Sequence, residues 1–277
     1  IMPSLVGSEM CIRDSINLIE LSCDKNNLNS LSLSDNLFIE RLYCSSNKLT
    51  DLDISQNTDL TELNCSHNQL KALDISENIL LLNIYCSRNQ LVTLDISQNI
   101  NLTDLICSKN QLVTLDISQN IELSKLNCSY NKLTKLDVSK NTTLTDLTCS
   151  HNKLTKLDVS KNTLTDLQCS SNQLSSLDVS KNVALLNLYC SSNKLKSLNV
   201  SQNITLTQLI CTHNQLTNLD VSNTPLTELY CSSNPLLELK VNATMSTHDI
   251  HKDPEVNIIM IKEVDKNFTF EESKKTD

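Results

Sequence analysis

The sequence predicts a β-rich solenoid, built from about eleven coils of 21 residues with two short parallel strands in each coil. Three observations lead to this prediction. Eleven of the 12 Cys residues recur at steps of 20 or 21 residues, and Cys11 alone lies outside that register. Each repeat contains two short segments in which apolar and polar residues alternate, as is typical of strands. The 277-residue chain also has a single Gly, so its turns depend on other residues.

The composition excludes several classes of protein. Because Gly7 is its one glycine, the chain has no glycine-rich phosphate loop, dinucleotide-binding turn or nucleophile elbow. No run of 18 apolar residues is present, so we expect no membrane span. The formal net charge of −9 is opposite to that of typical nucleic-acid-binding domains, and we expect no nucleic-acid partner.

Four segments follow one another along the chain. Residues 1–15 have no repeat character, and we interpret them as a sequencing or assembly artefact or as a disordered leader. The repeats occupy residues 16–241. Residues 242–265 contain an apolar run from Val256 to Val264 that suits one strand, and we expect this segment to cap the last coil. Residues 266–277 are charged and without periodicity, so we predict a disordered tail.

The repeats share the pattern L-x-x-L-x-C-S-x-N-x-L-x-x-L-D-[IV]-S-x-N, which the segment from Leu60 to Leu80 shows clearly. Its first half, Leu63-x-Cys65-x-x-Asn68, is echoed ten residues later. One such unit cannot bury its Leu residues, whereas stacked units can. We expect each Asn to form a corner, because Asn tolerates left-handed backbone and bonds to neighbouring backbone groups.

This pattern resembles the leucine-rich repeat, and it is most similar to the nested 21-residue bacterial class related to internalin-type repeats. The resemblance covers about four-fifths of the chain. It implies a bacterial recognition protein that is secreted or displayed at the cell surface. It does not identify the ligand, because leucine-rich repeats bind many unlike partners.

The Cys residues are predicted to form a single inward column of buried, unpaired thiols from Cys23 to Cys231. A single file does not supply the four tetrahedral ligands that zinc requires. Parallel neighbours also hold their Cβ atoms too far apart for a disulfide. We therefore expect no metal and no cofactor.

Two Asn columns and one Asp column accompany the Cys column. We interpret the Asn columns as structural, with side-chain amides that bond the backbone of a neighbouring coil. The Asp column runs from Asp53 to Asp178, is interrupted by Asn199 and resumes at Asp220. Two interpretations of it remain open: calcium bridges the carboxylates, or they are solvated and bonded to adjacent Ser and Lys residues, which we prefer.

The outward face of the Cys-bearing strands is the predicted ligand-binding face. Exposed aromatic and aliphatic side chains among mixed charges are typical of interface cores. A purely structural reading also remains, because Tyr is a good strand former. The candidate binding residues on this face are Tyr43, Tyr85, Tyr189, Tyr230, Arg41, Ile106 and Ile210.

No residue set indicates catalysis. The Ser and Asp residues repeat too often to single out a triad, and the His residues within the repeats lie several coils apart. His248 and His251 flank Asp249 in a weak metal motif, which we interpret as a surface pair. We therefore expect a monomeric, non-enzymatic recognition module for a protein or glycan ligand. The alternatives are a structural spacer or adhesin stalk, or the targeting arm of a larger enzyme whose catalytic domain is missing from this sequence.

Overall fold

The computed structural model describes residues 17–261. The predicted leader, the predicted tail and Cys11 lie outside these residues. Over the described range the chain winds into a parallel β-solenoid of about twelve turns. The solenoid and its 21-residue repeat are confirmed, with one turn more than predicted.

One long sheet carries the outward face of the Cys-bearing strands. In the described part of the chain it has twelve parallel strands, each with a buried Leu or Ile that alternates with more exposed residues. Its strands are β1 (Glu20–Ser22), β2 (Arg41–Tyr43), β3 (Glu62–Asn64), β4 (Asn83–Tyr85), β5 (Asp104–Ile106), β6 (Lys125–Asn127), β7 (Asp146–Thr148), β8 (Asp166–Gln168), β9 (Asn187–Tyr189), β10 (Gln208–Ile210), β12 (Glu228–Tyr230) and β14 (Ile250–His251).

The core is a stack of Leu, Ile, Val and Cys columns. Burying one Leu side chain contributes about 1.5–3 kcal/mol, which a single coil cannot obtain without its neighbours. The cysteines from Cys23 to Cys231 are free and buried, as predicted from their inward position. Burial raises the pKa of the Cys65 thiol well above its ordinary value and raises that of Cys128 to about 12.

The turn that follows each strand of the long sheet differs from the prediction in one respect. Its left-handed residue, with φ between 54° and 57°, is the residue before the Asn and not the Asn itself. The Asn acts through its side chain. Asn68 Nδ2 donates to the carbonyls of Cys44 (3.0 Å) and Cys65 (3.1 Å), and its Oδ1 accepts from the Leu49 N–H (2.9 Å). The predicted bonding between coils is thus confirmed, while the predicted left-handed Asn is wrong.

The second strand of each coil is the main correction to the predicted fold. In residues 17–261 it forms only towards the C-terminus, where β11 (Asn218–Val221), β13 (Glu238–Asn242) and β15 (Asn257–Ile261) make a small parallel sheet. The prediction of two strands in every coil is therefore wrong for the earlier coils.

The second Asn column explains where this small sheet begins. In the earlier coils its side chains make the bonds between coils: Asn78 Nδ2 donates to the carbonyls of Ile54 (3.0 Å) and Asn57 (2.8 Å). After Asn203 the same turn position is occupied by Thr224 and then Met245. Backbone pairing, of β11 with β13 and of β13 with β15, is found where the Asn is absent.

Two coils are one residue shorter than the others. Asp166 pairs with Asp146 and Glu228 with Gln208, at separations of 20 residues, without a shift in the register of the long sheet. The missing residue lies at the corner between the second Asn and the next core Leu. One residue separates Asn162 from Leu164, where two separate Asn141 from Leu144.

The last described residues continue both sheets beyond the repeat pattern. A short 3-10 helix, Thr247–Asp249, leads into β14, which pairs with β12, and β15 pairs with β13. The assignment of residues 242–265 as a cap, like the other domain boundaries, stays a prediction. The described part of the chain contains no helix with the length and hydropathy needed to cross a bilayer.

Candidate binding face

The strand register arranges the predicted binding residues in rows along the long sheet. We call the outward surface of β1–β10, β12 and β14 the Cys-strand face. Tyr189 pairs with Ile210, and Ile210 pairs with Tyr230, so three of the predicted residues lie side by side. Tyr85 likewise lies beside Ile106. These adjacencies follow from parallel pairing without a register shift.

His251 extends the C-terminal row by one more strand. It pairs with Tyr230, and the two rings stack with centroids 4.1 Å apart and an interplanar angle of 8°. The sequence analysis missed this role, because His251 lies beyond the recognisable repeat. The row Tyr189, Ile210, Tyr230 and His251 is called the C-terminal row below.

The tyrosine hydroxyls are held by polar side chains at neighbouring positions of the sheet. Tyr189 donates to Gln208 Oε1, and Tyr230 donates to Glu228 Oε1 at 2.9 Å. The bond to Glu228 raises the pKa of Tyr230, and burial together with Glu62 raises that of Tyr43. These bonds fix the orientation of the rings before any ligand binds.

Arg41 and Tyr43 lie near the other end of the face. The Nε of Arg41 lies 2.8 Å from Glu20 Oε2, and this bond raises the pKa of Arg41. Eight strand spacings separate β2 from β10, which is roughly 38 Å. The structure therefore places the seven predicted residues on one face but in two groups, a looser one from Arg41 to Ile106 and the C-terminal row.

The Asp column lies away from this face and forms local turns. Asp116 Oδ1 accepts from the Ser118 backbone N–H at 2.9 Å, and the other members bond in the same way. The Ser118 N–H and hydroxyl lower the pKa of Asp116, although the charges of Asp137 and Asp95 raise it. Asn199 makes the same bond to Ser201, at 3.0 Å. The predicted bonding to adjacent Ser residues is confirmed, whereas the predicted bonding to Lys is not, because no ion pair within residues 17–261 joins these carboxylates to a Lys.

The described residues show no arrangement of side chains suited to binding a metal ion. Within residues 17–261, no group of three or more His, Cys, Asp or Glu side chains is arranged to hold an ion. His251 contacts Tyr230 in the sheet, whereas His248 lies in the preceding 3-10 helix.

Comparisons with known proteins show which proteins this solenoid is similar to. No known protein-family profile matches the chain, and no curated protein sequence matches it either. Among solved structures, the functional domain of InlJ from Listeria monocytogenes, described as including a cysteine ladder, matches with a TM-score of 0.76 and 35% identity. The chain is an internalin-like leucine-rich repeat protein. The match covers 83% of this internalin-like chain and 59% of the InlJ chain, which is less than two thirds of InlJ.

Two further structures share the fold of the internalin-like protein. A leucine-rich repeat protein of Leptospira interrogans is 24% identical with a TM-score of 0.75, and the match covers 90% of this chain and 74% of that one. The internalin InlF from Listeria monocytogenes is 19% identical with a TM-score of 0.72, over 91% and 88% of the two chains. At these identities the likeness shows the fold alone.

Proposed function

We propose that this internalin-like protein is a non-enzymatic recognition module that binds a protein ligand on its Cys-strand face. The C-terminal row is the observation that carries this proposal. It places two tyrosines, an isoleucine and a histidine side by side on a sheet without a break. Aromatic side chains at the centre of an interface supply much of its binding energy.

The fixed geometry of the row supports a binding role. The Tyr189 and Tyr230 hydroxyls are bonded within the chain, and His251 stacks on the Tyr230 ring. Rings that are already ordered lose little conformational entropy when a ligand binds. The neighbouring carboxylate of Glu228 adds charge at the edge of the row, where it favours specificity more than affinity.

Solved complexes of proteins with this fold favour a protein as the ligand. The plant peptide hormone receptor RGFR1, 16% identical to this chain, is seen in complex with RGF2, and LRIM1 is seen in complex with APL1C. For the internalin-like protein we propose a monomer that is secreted or displayed at a bacterial cell surface. Sedimentation of the purified chain tests the first part, and a signal peptide in the full reading frame tests the second.

The ligand is sought by screening the full chain against arrays of purified protein ectodomains and of glycans. A protein that binds is then titrated against Tyr189→Ala and Tyr230→Ala, with Tyr130→Ala as the control. Tyr130 is the matched control because it is an exposed tyrosine outside the face. We expect the two face variants to weaken binding by about 2 kcal/mol or more, roughly thirtyfold, and the control to be silent.

Other outcomes would contradict the proposal. Binding that survives both face variants but is abolished by Asp116→Ala would assign the ligand to the opposite side of the solenoid. Binding only on the glycan array would assign this face to the other ligand class. If neither array yields a ligand, the solenoid fits a structural spacer instead.

A further inference from the structure

The charges of the chain are segregated by side. In the eight coils from Cys65 to Cys211, the eight residues that follow each Cys contain no Asp or Glu, and together they contain nine Lys and Arg residues. Stacking of the coils places these segments, residues 66–73 through 212–219, on one side of the solenoid. We call this side the basic flank. The net charge of −9 therefore conceals a basic strip, and its far edge borders the Asp column, because Lys135 lines the same surface pocket as Asp116 and Asp137.

A row of five side chains forms the edge of the basic flank nearest the Cys-strand face. His67, Arg88, Lys109, Tyr130 and His151 occupy the left-handed turn position on successive coils, and all five are exposed. Lys109 Nζ lies 5.1 Å from the centroid of the Tyr130 ring. That ring stacks on His151 with centroids 4.0 Å apart and an interplanar angle of 13°.

No ion pair in the part of the chain that the structure describes neutralises the cations of the flank. The ion pairs found within residues 17–261 involve Arg41 and Lys240, and none involves the flank. Lys132 Nζ donates instead to Gln111 Oε1 at 3.1 Å. Burial, and then the charges of Arg88 and Lys109, lower the pKa of His67, which is consistent with a positive local potential.

We propose that the basic flank binds a linear anionic polysaccharide, with sulfate or carboxylate groups along its length, that lies parallel to the solenoid axis. The five successive coils from Cys65 to Cys149 carry seven of the nine cations. Coils repeat at roughly 4.8 Å, so these five present a positive strip of roughly 24 Å. The side-chain amides of Gln90 and Gln111, beside the row, add hydrogen-bonding groups for sugar hydroxyls. The polysaccharide site is distinct from the protein site proposed for the Cys-strand face.

Other anionic partners fit this surface less well. A protein interface is anchored by apolar side chains at its centre, and the exposed aliphatic residues of the flank are one pair on consecutive coils, Val92 and Val113. Single-stranded nucleic acid stacks its bases on aromatic faces. The Tyr130 ring is flanked by Lys109 from the coil before it and by His151 from the coil after it, so its faces are already in contact.

The test titrates the full chain with fluorescently labelled heparin as the probe and uses two double variants of equal charge. Arg88→Gln with Lys109→Gln removes two cations from the row. Lys140→Gln with Lys161→Gln removes two exposed cations beside Asp137 and Asp158 on the other side. We expect the first pair to weaken binding by about tenfold or more and the second by less than about twofold. Binding is also expected to weaken as salt is added, because exposed charges are screened.

Three results would overturn the proposal: no heparin binding at low salt, an equal loss in both double variants, or equally tight binding of polyglutamate or oligo-dT through the same residues. Unlabelled dextran, which is uncharged, is expected not to compete. All four substituted residues are exposed, and the thermal melt of each variant checks its folding. Tyr189→Ala and Tyr230→Ala are expected to leave heparin binding unchanged, so this proposal and the one for the Cys-strand face can fail separately.

Discussion

The imidazole of His251 lies almost parallel to the phenol ring of Tyr230, with 4.1 Å between the ring centroids. One residue belongs to the last recognisable repeat and the other to the segment that follows it. The contact therefore joins the end of the repeat array to its final turn. It also lengthens the aromatic part of the Cys-strand face by one strand.

A double-mutant cycle measures this contact without any ligand. We expect Tyr230→Ala and His251→Ala to be coupled by about 0.5–1.5 kcal/mol in the free energy of unfolding, which is typical of stacked aromatic pairs. Urea denaturation of the two single variants and the double variant gives the value. Tyr230→Ala combined with His67→Ala is the control, because the exposed His67 lies several coils away and the two effects should add. Additivity in the first cycle as well would show that the stacking contributes no stability.

The Asn that closes each turn should be among the most sensitive residues of the solenoid. Asn110 Nδ2 donates to the carbonyls of Cys86 (3.0 Å) and Cys107 (3.1 Å), and its Oδ1 accepts from the Leu91 N–H (3.1 Å). Asn110→Ala leaves the buried Leu91 N–H unpaired, at a cost of about 1–3 kcal/mol. The two carbonyls lose one of their two donors and keep the other, since Asn89 Nδ2 also donates to Cys86 and Asn131 Nδ2 to Cys107, at 3.1 Å each. We expect the free energy of unfolding to fall by about 3 kcal/mol in denaturant titrations. The exposed control Gln119→Ala should change it by less than about 0.5 kcal/mol.

The buried thiols predict a steep loss of stability at alkaline pH. Burial raises the pKa of Cys128 and Cys169 to about 12, above the ordinary value of 9.0. The contribution of these thiols to the free energy of unfolding is complete below pH 9.0. It is lost as the pH rises from there towards 12, because the thiols then ionise in the unfolded chain but not in the folded one. Within that window, each such thiol lowers the free energy of unfolding by about 1.4 kcal/mol per pH unit.

Melting temperatures measured from pH 7 upwards check this expectation, and Cys128→Ala should make the decline shallower. At pH 8, thiol labelling of a Cys11→Ser variant should be slow in the native state and complete in denaturant. Rapid native labelling of most of the remaining thiols would contradict their inward position. The Cys11 substitution is needed because that residue is outside the described chain.

The stability that the Asp column contributes should depend on its hydrogen bonds more than on its charge. We expect Asp116→Asn to keep the melting temperature at neutral pH or raise it slightly, because Asn199 accepts the same bond from Ser201 and because repulsion from Asp95 and Asp137 is relieved. Asp116→Ala should lower it. Because the folded pKa of Asp116 is lowered, its contribution is present above the ordinary value of 3.8 and is lost as pH falls below it.

Melting temperatures with and without calcium distinguish the two interpretations of the Asp column. If the carboxylates are solvated, melting temperatures in calcium and in chelator should agree. A cation that binds the folded chain and is present at 100 times its dissociation constant would add about 2.7 kcal/mol to the free energy of unfolding, which a thermal melt detects readily. A clear rise with calcium, lost in Asp116→Asn, would favour the bridging interpretation instead.

The repeat period made most of the fold predictable, because each column has one environment and one explanation. The second strand was mispredicted because alternation of Leu73 and Ile75 looks the same whether the backbone pairs or an Asn side chain such as Asn78 takes its place. The left-handed turn position carries no sequence signal, since residues as different as Ser46 and Tyr130 occupy it. The basic flank was missed for another reason: the charge was counted over the whole chain and not column by column.

The two shorter coils have a consequence for how such a protein can change during evolution. Each has lost a residue at the corner that precedes its strand, and Asp166 and Glu228 still pair in register. A one-residue deletion at that corner is therefore absorbed without a shift in the register of the Cys-strand face. Substitutions on the face, in turn, leave the corner geometry untouched. The perimeter of a coil and the residues of the face can therefore vary independently, and we expect a tag or fluorophore inserted after Asn162 to have little effect on recognition.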